Sequence, residues 1–232
     1  MELSSFILEN RWMLELFYVV VISSICMIIF SKTDKFFKLS LHQGLRYFRN
    51  AFLFYGFAFI FRYLFGVFSD LSFSYTEVMK FTFEFFFIMA GFFLLYSLIW
   101  KKFEFEKEYS SLFNKRILIF NIFAVILAAM DVVWGTYYFM FISQIAVFFF
   151  AVIISYSNYK RNGKKHKFLN FYFIAMLLGF AAWILNFLVE SVFNWRHMVL
   201  TDIGLINIMF FMLFLYGVIK ITKNDRTEVQ HK

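Results

Sequence analysis

A few residues in this chain carry charge or hydrogen-bonding capacity inside long apolar runs, where such groups are costly and usually face a protein interior. Arg62 and Glu84 lead them. A guanidinium and a carboxylate at equal depth can clasp two helices, bind a charged ligand or hold a moving ion. With Phe68 as the outer end of one run and Val78 as that of the next, each lies six residues inward. At 1.5 Å per residue that is about 9 Å below the boundary. Glu77, Lys80 and Glu84 follow i, i+3, i+7 spacing, so Lys80 competes with Arg62 for Glu84 from its own helix.

Further along, Asn121, Ala124, Ala128, Asp131 and Gly135 repeat at steps of three and four. This stripe suits close helix packing and ends in a carboxylate. Gly179, Trp183, Asn186 and Glu190 share one helical face, Asp202 and Asn207 belong to the last run, and Gln144 to the fifth. Arg62, Glu84, Asp131, Trp183, Asn186, Glu190, Asp202 and Asn207 are therefore the candidate residues of a ligand or ion pocket.

The elements that must position them are seven apolar segments, at 12–31, 44–68, 77–100, 116–134, 137–157, 167–189 and 200–222. Each has about the ~20 residues that a helix needs to cross ~30 Å of hydrocarbon. The expected fold is an all-α seven-helix transmembrane bundle forming a single domain over 1–222. Residues 223–232 make a short charged tail.

Hydrophobic residues make up 62% of the chain, well above the roughly 45–50% of soluble domains. Nineteen of the 23 basic residues fall in the first, third and fifth gaps and after the last run. The positive-inside rule then sets the amino terminus outside a cell membrane and the carboxyl terminus in the cytoplasm. With that orientation the candidate residues gather in the outer half, apart from the deeper Trp183, and the inner half is greasy. The expectation is an outward-facing polar pocket closed toward the cytoplasm by packed aromatics, of which the chain has 40 Phe, 13 Tyr and 5 Trp.

A weak internal repeat is visible when spans 1–3 are laid over spans 5–7. Gly56-Phe57-Ala58 meets Gly179-Phe180-Ala181, and Thr76-Glu77-Val78 meets Thr201-Asp202-Ile203. That pattern predicts two parallel triplets joined by span 4, an arrangement known among membrane carriers.

Several chemistries find no residues to carry them. The histidines, His42, His166, His197 and His231, lie in gaps or the tail, and Cys26 is the single cysteine. No metal site, haem pair or paired nucleophile and base is expected, and no cofactor follows from the sequence. A retinal protein would need a lysine in the middle of the last span, where this chain reads NIMFFMLF. The net charge of +8 sits beside span ends, which suits anionic lipid headgroups of the bilayer and argues against nucleic acid. The expected function is a sensor-like or receptor-like ligand-binding bundle that signals to a cytoplasmic or membrane protein partner. The alternatives are a small-solute or ion transporter and a structural membrane subunit.

Overall fold

Long apolar runs without proline favour uninterrupted helices, because nothing removes a backbone donor or forces a kink. The computed structural model describes residues 11–40, 43–68, 73–103, 115–162, 167–193 and 206–220, and all regular structure in them is helical. The helices are α1 Arg11–Ser40, α2 Gln43–Phe68, α3 Phe73–Phe103, α4 Lys115–Trp134, α5 Tyr138–Asn162 and α6 Lys167–Phe193. A shorter apolar helix, α7, covers Ile206–Lys220. Residues 104–114 of the third gap and the tail lie outside the described residues.

Five of these helices, α1, α3, α4, α5 and α6, are long and apolar enough to cross a membrane, which marks the chain as a membrane-embedded protein. The run in α2 is interrupted by Arg46, Arg49 and Arg62. The first apolar run ends at residue 31, but α1 continues helically through Lys32, Asp34 and Lys38 to Ser40. An ion cluster explains the extra turns. Asp34 accepts from Lys38 at 2.9 Å and pairs with Arg49 of α2. Arg49 also donates to Asn50 Oδ1 and lies over the rings of Phe30 and Phe37 at 5.5 and 5.6 Å. This pins one end of α1 to α2.

α3 is the hub, packed against α2, α4 and α5. Just over half of its apolar stretch (56%) is buried, against 22% for α4, which runs at the margin. On α4 the small-residue stripe turns inward: Ala124, Ala128 and Asp131 are buried, while Leu118, Ile122, Phe123 and Ile126 are exposed. An apolar outer surface of this kind matches a hydrocarbon surround.

The core is built from aromatic rings meeting edge to face, the geometry their quadrupoles prefer. Phe211 of α7 lies within 5.6 Å of Tyr55 and Phe59 of α2, and Phe214 lies 5.1 Å from Phe52 and 5.6 Å from Tyr172. Toward the Arg49 end, Phe48, Phe52, Tyr172 and Phe214 are all buried. Toward the other end the packing opens.

Candidate functional site

A cavity of about 270 Å³ lies between α1, α2, α3, α5, α6 and α7 at the end opposite Arg49. Helical periodicity puts its walls in place. Tyr55, Phe59 and Arg62 follow one another along α2, and Gly179, Trp183 and Asn186 along α6, all facing inward at steps of three and four. The base is apolar. Phe87 lies 5.4 Å from Tyr55, 5.2 Å from Phe59 and 5.2 Å from Trp183. Gly179 keeps space open, since a methyl group there would come within 2.5 Å of Phe148 and 2.6 Å of Phe210.

Above that base the lining is polar. Asn186 is 6% exposed, and its Nδ2 donates to the Ala182 carbonyl one turn back at 2.9 Å. That bond identifies the amide's donor side and leaves Oδ1 as an acceptor without a donor among the described residues. Asn207 donates through Nδ2 to the Tyr18 hydroxyl at 3.1 Å, joining α7 to α1. Its Oδ1 is likewise available. Glu15 and Arg62 are the two charged groups in the lining, and both have further interactions within the protein.

Behind the base, Gln144 of α5 ties three helices together. Its Nε2 donates to the Phe87 carbonyl at 3.0 Å, and Tyr55 donates to its Oε1 at 3.4 Å. The close approach requires Gly91, whose missing Cβ would lie 2.7 Å from that amide.

A second polar cluster adjoins the cavity at the turn between α4 and α5. The Asp131 carboxylate accepts from Thr136 Oγ1 at 2.9 Å and from the Phe139 and Met140 amides at 3.1 and 2.7 Å. It therefore satisfies donors that the first turn of α5 leaves open. Gly135, at φ 66°, supplies the left-handed residue that ends α4. Lys80 reaches across from α3, donating to the carbonyls of Asp131 and Thr136 at 3.2 and 2.8 Å. Its Nζ also lies 4.3 Å from the centre of the Tyr137 ring, and Tyr137 itself lines the cavity.

Glu84 lies one turn below Lys80 and is fully buried. Its Oε1 is 3.8 Å from Lys80 Nζ, and neither carboxylate oxygen makes a hydrogen bond. Of the two partners that the sequence offered Glu84, the ion pair formed is the one with Lys80.

Four of the eight expected residues thus meet in one cavity: Arg62, Trp183, Asn186 and Asn207. Glu84 and Asp131 lie in the neighbouring cluster, outside the lining. The Glu190 side chain and the whole of Asp202 lie outside the described residues. Sequence reasoning passed over Glu15 and Tyr18, which stand three apart on α1 and so face the same way. Their spacing was visible, but near a helix start it reads as ordinary interface chemistry. Tyr55 and Tyr63 were hidden among many other aromatics. No family model, curated protein or solved structure matches this chain.

Proposed function

We propose that this chain is a seven-span membrane protein that binds a small amphipathic ligand in the cavity and works as a sensor-like or receptor-like bundle. The supporting observation is Asn186, a buried amide whose accepting oxygen faces a cavity and has no donor among the described residues. That oxygen is reached from the cavity and is open to a ligand or an ordered water. In the orientation drawn from the basic gaps, the amino terminus is outside, the Asp34–Arg49 cluster is cytoplasmic, and the cavity faces outward. The marginal α4 then serves as the linker between two parallel triplets.

A carrier would need an alternative opening on the other side. Phe48, Phe52, Tyr172 and Phe214 fill that half ring against ring, with Phe48 and Phe214 5.8 Å apart. Ligand-driven repacking around the cavity is a smaller change than opening that plug, and it favours sensing over transport.

The test is a thermal-unfolding screen of small amphipathic compounds against the protein in nanodiscs, run beside Asn186→Leu. Binding predicts compounds that raise the unfolding temperature of the native chain and lose that effect in the variant. At a concentration of 100 Kd a bound ligand adds about 2.7 kcal/mol. A screen in which both proteins respond alike to every compound refutes the proposal.

A further inference from the structure

We infer that the ligand is an uncharged aromatic molecule of the size of a naphthol, carrying one hydroxyl-like group that both donates and accepts a hydrogen bond. This rests on the reading of the cavity as a ligand site. The first reason is charge. The charged residues in the lining are Glu15 and Arg62, of opposite sign, and both already interact within the protein. An anion, a cation or a zwitterion would have to draw one or both of them away from those interactions. In a partly desolvated space, breaking an existing charge contact is penalised. An uncharged ligand leaves both groups as they are.

The second reason is the base of the cavity. Tyr55, Phe59, Phe87, Phe211 and Trp183 all line it. They meet one another edge to face: Tyr55 crosses Phe87 at 74° and Phe211 at 80°, Phe59 crosses the same two rings at 67° and 81°, and Trp183 crosses Phe87 at 86°. A surface of crossed rings offers both ring edges and ring faces. A flat aromatic ligand continues that pattern and gains more from it than an aliphatic one of equal area.

The third reason is the character of the uncharged polar groups. Asn186 gives one N–H to the Ala182 carbonyl and Asn207 gives one to the Tyr18 hydroxyl. Each amide therefore keeps a second N–H beside its accepting Oδ1, and Tyr18 keeps its own proton to donate. These groups can donate and accept alike. A ligand hydroxyl, which does the same, matches them in either sense.

The fourth reason is size. A dry apolar cavity of about 150 Å³ takes one benzene ring. This cavity holds about 270 Å³, which suits a fused pair of rings with a small polar end.

The experiment uses equilibrium dialysis of the full chain in phosphatidylcholine nanodiscs, with empty nanodiscs to subtract partition into lipid. The probe is 2-naphthol. Naphthalene removes the hydroxyl, and decahydro-2-naphthol removes the aromaticity. The charged comparisons are 2-naphthoate, 2-naphthylmethylammonium and the zwitterion tryptophan. The expected result is that 2-naphthol binds, that the two uncharged analogues are weaker by about threefold or more, and that the charged ones are weaker by about tenfold or more. Asn186→Leu should weaken 2-naphthol toward the affinity of naphthalene and affect naphthalene less.

Any charged comparison within tenfold of 2-naphthol overturns the assignment of an uncharged ligand. Decahydro-2-naphthol within threefold overturns the aromatic part. Naphthalene within threefold, or equal weakening of both by Asn186→Leu, overturns the hydroxyl part. If no naphthyl probe binds while the amphiphile screen still finds Asn186-dependent compounds, this assignment falls and the cavity reading stands. If both are silent, both fall. Native-like unfolding of the variant in the absence of ligand separates a lost contact from a lost fold.

Discussion

Asp131→Ala should destabilise the protein by about 3–5 kcal/mol by freeing the α4–α5 turn. The carboxylate is buried and accepts three hydrogen bonds at 2.9, 3.1 and 2.7 Å, two of them from backbone amides at the start of α5. Hydrogen bonds to a charged group are worth roughly 1.5–3 kcal/mol each, and bonds that share one acceptor add incompletely. A single helix cap is worth about 0.5–2 kcal/mol, so a carboxylate that also holds the Thr136 hydroxyl belongs above that range. Asp131→Asn keeps one accepting oxygen and turns its NH₂ toward a donor. It should cost about 2–3 kcal/mol. Equilibrium unfolding from nanodiscs reads both numbers. Hydrogen exchange at the Phe139 and Met140 amides should accelerate in the same order. If Asp131→Ala loses less than about 1 kcal/mol with unchanged exchange at those amides, the capping argument is wrong. If the variant is stable but no longer binds ligand, Asp131 belongs to the site and not to the turn.

Three further outcomes follow from the same geometry. Gly179→Ala puts a methyl group 2.5 Å from Phe148 and 2.6 Å from Phe210; overpacking of this kind costs about 1–3 kcal/mol, and ring displacement into the cavity should weaken ligand binding in calorimetry. Lys80→Met leaves the buried Glu84 without its cation and two carbonyls without their donor, an expected loss of about 3–5 kcal/mol in unfolding. The double change with Glu84→Leu should recover part of that loss, because it removes the stranded charge. Arg49→Lys replaces a guanidinium set over Phe30 and Phe37 and bonded to Asp34 and Asn50 by a point charge; the partly exposed site limits the unfolding loss to about 1 kcal/mol, and a larger loss would mean that this cluster nucleates the α1–α2 pair.

Much of the fold was legible because hydropathy reports on the surrounding solvent: the first six apolar runs lie in long helices, five of them apolar enough to cross a membrane, and the last is described as a helix over 206–220. The sequence located the inward face of α4 through Ala124 and Ala128, since small residues in a bulky chain mark where helices approach. It also brought Gly179, Trp183 and Asn186 together, because helical periodicity is local information. The pairing of Glu84 was less accessible. Arg62 qualified by equal depth and Lys80 by helical spacing, and the decision depended on how α3 is rotated against its neighbours. Asp131 was legible as buried but not as a cap, because the donors it serves follow on the next helix, beyond the Gly135 turn. Tyr18 and Asn207 lie at opposite ends of the chain, 189 residues apart, and nothing local in either segment announces the other.

The two polar clusters differ in a way that separates scaffolding from function. At the α4–α5 turn the Asp131 carboxylate and the Lys80 ammonium both face hydrogen-bonding partners supplied by the chain itself, so these two groups are matched without a ligand, while the Glu84 carboxylate beneath them has only the Lys80 charge. In the cavity the accounts stay open. Asn186 and Asn207 each give one N–H to the protein and present an acceptor to the space between the helices. Burial of polar groups is therefore not the useful criterion here, since both clusters hold buried and half-buried groups. Completeness is. Tyr137 touches both systems, lining the cavity and lying under the Lys80 ammonium. A ligand that shifts this ring acts directly on the cation that holds the α4–α5 turn to α3, which gives occupancy of the cavity a physical route into the packing of the bundle.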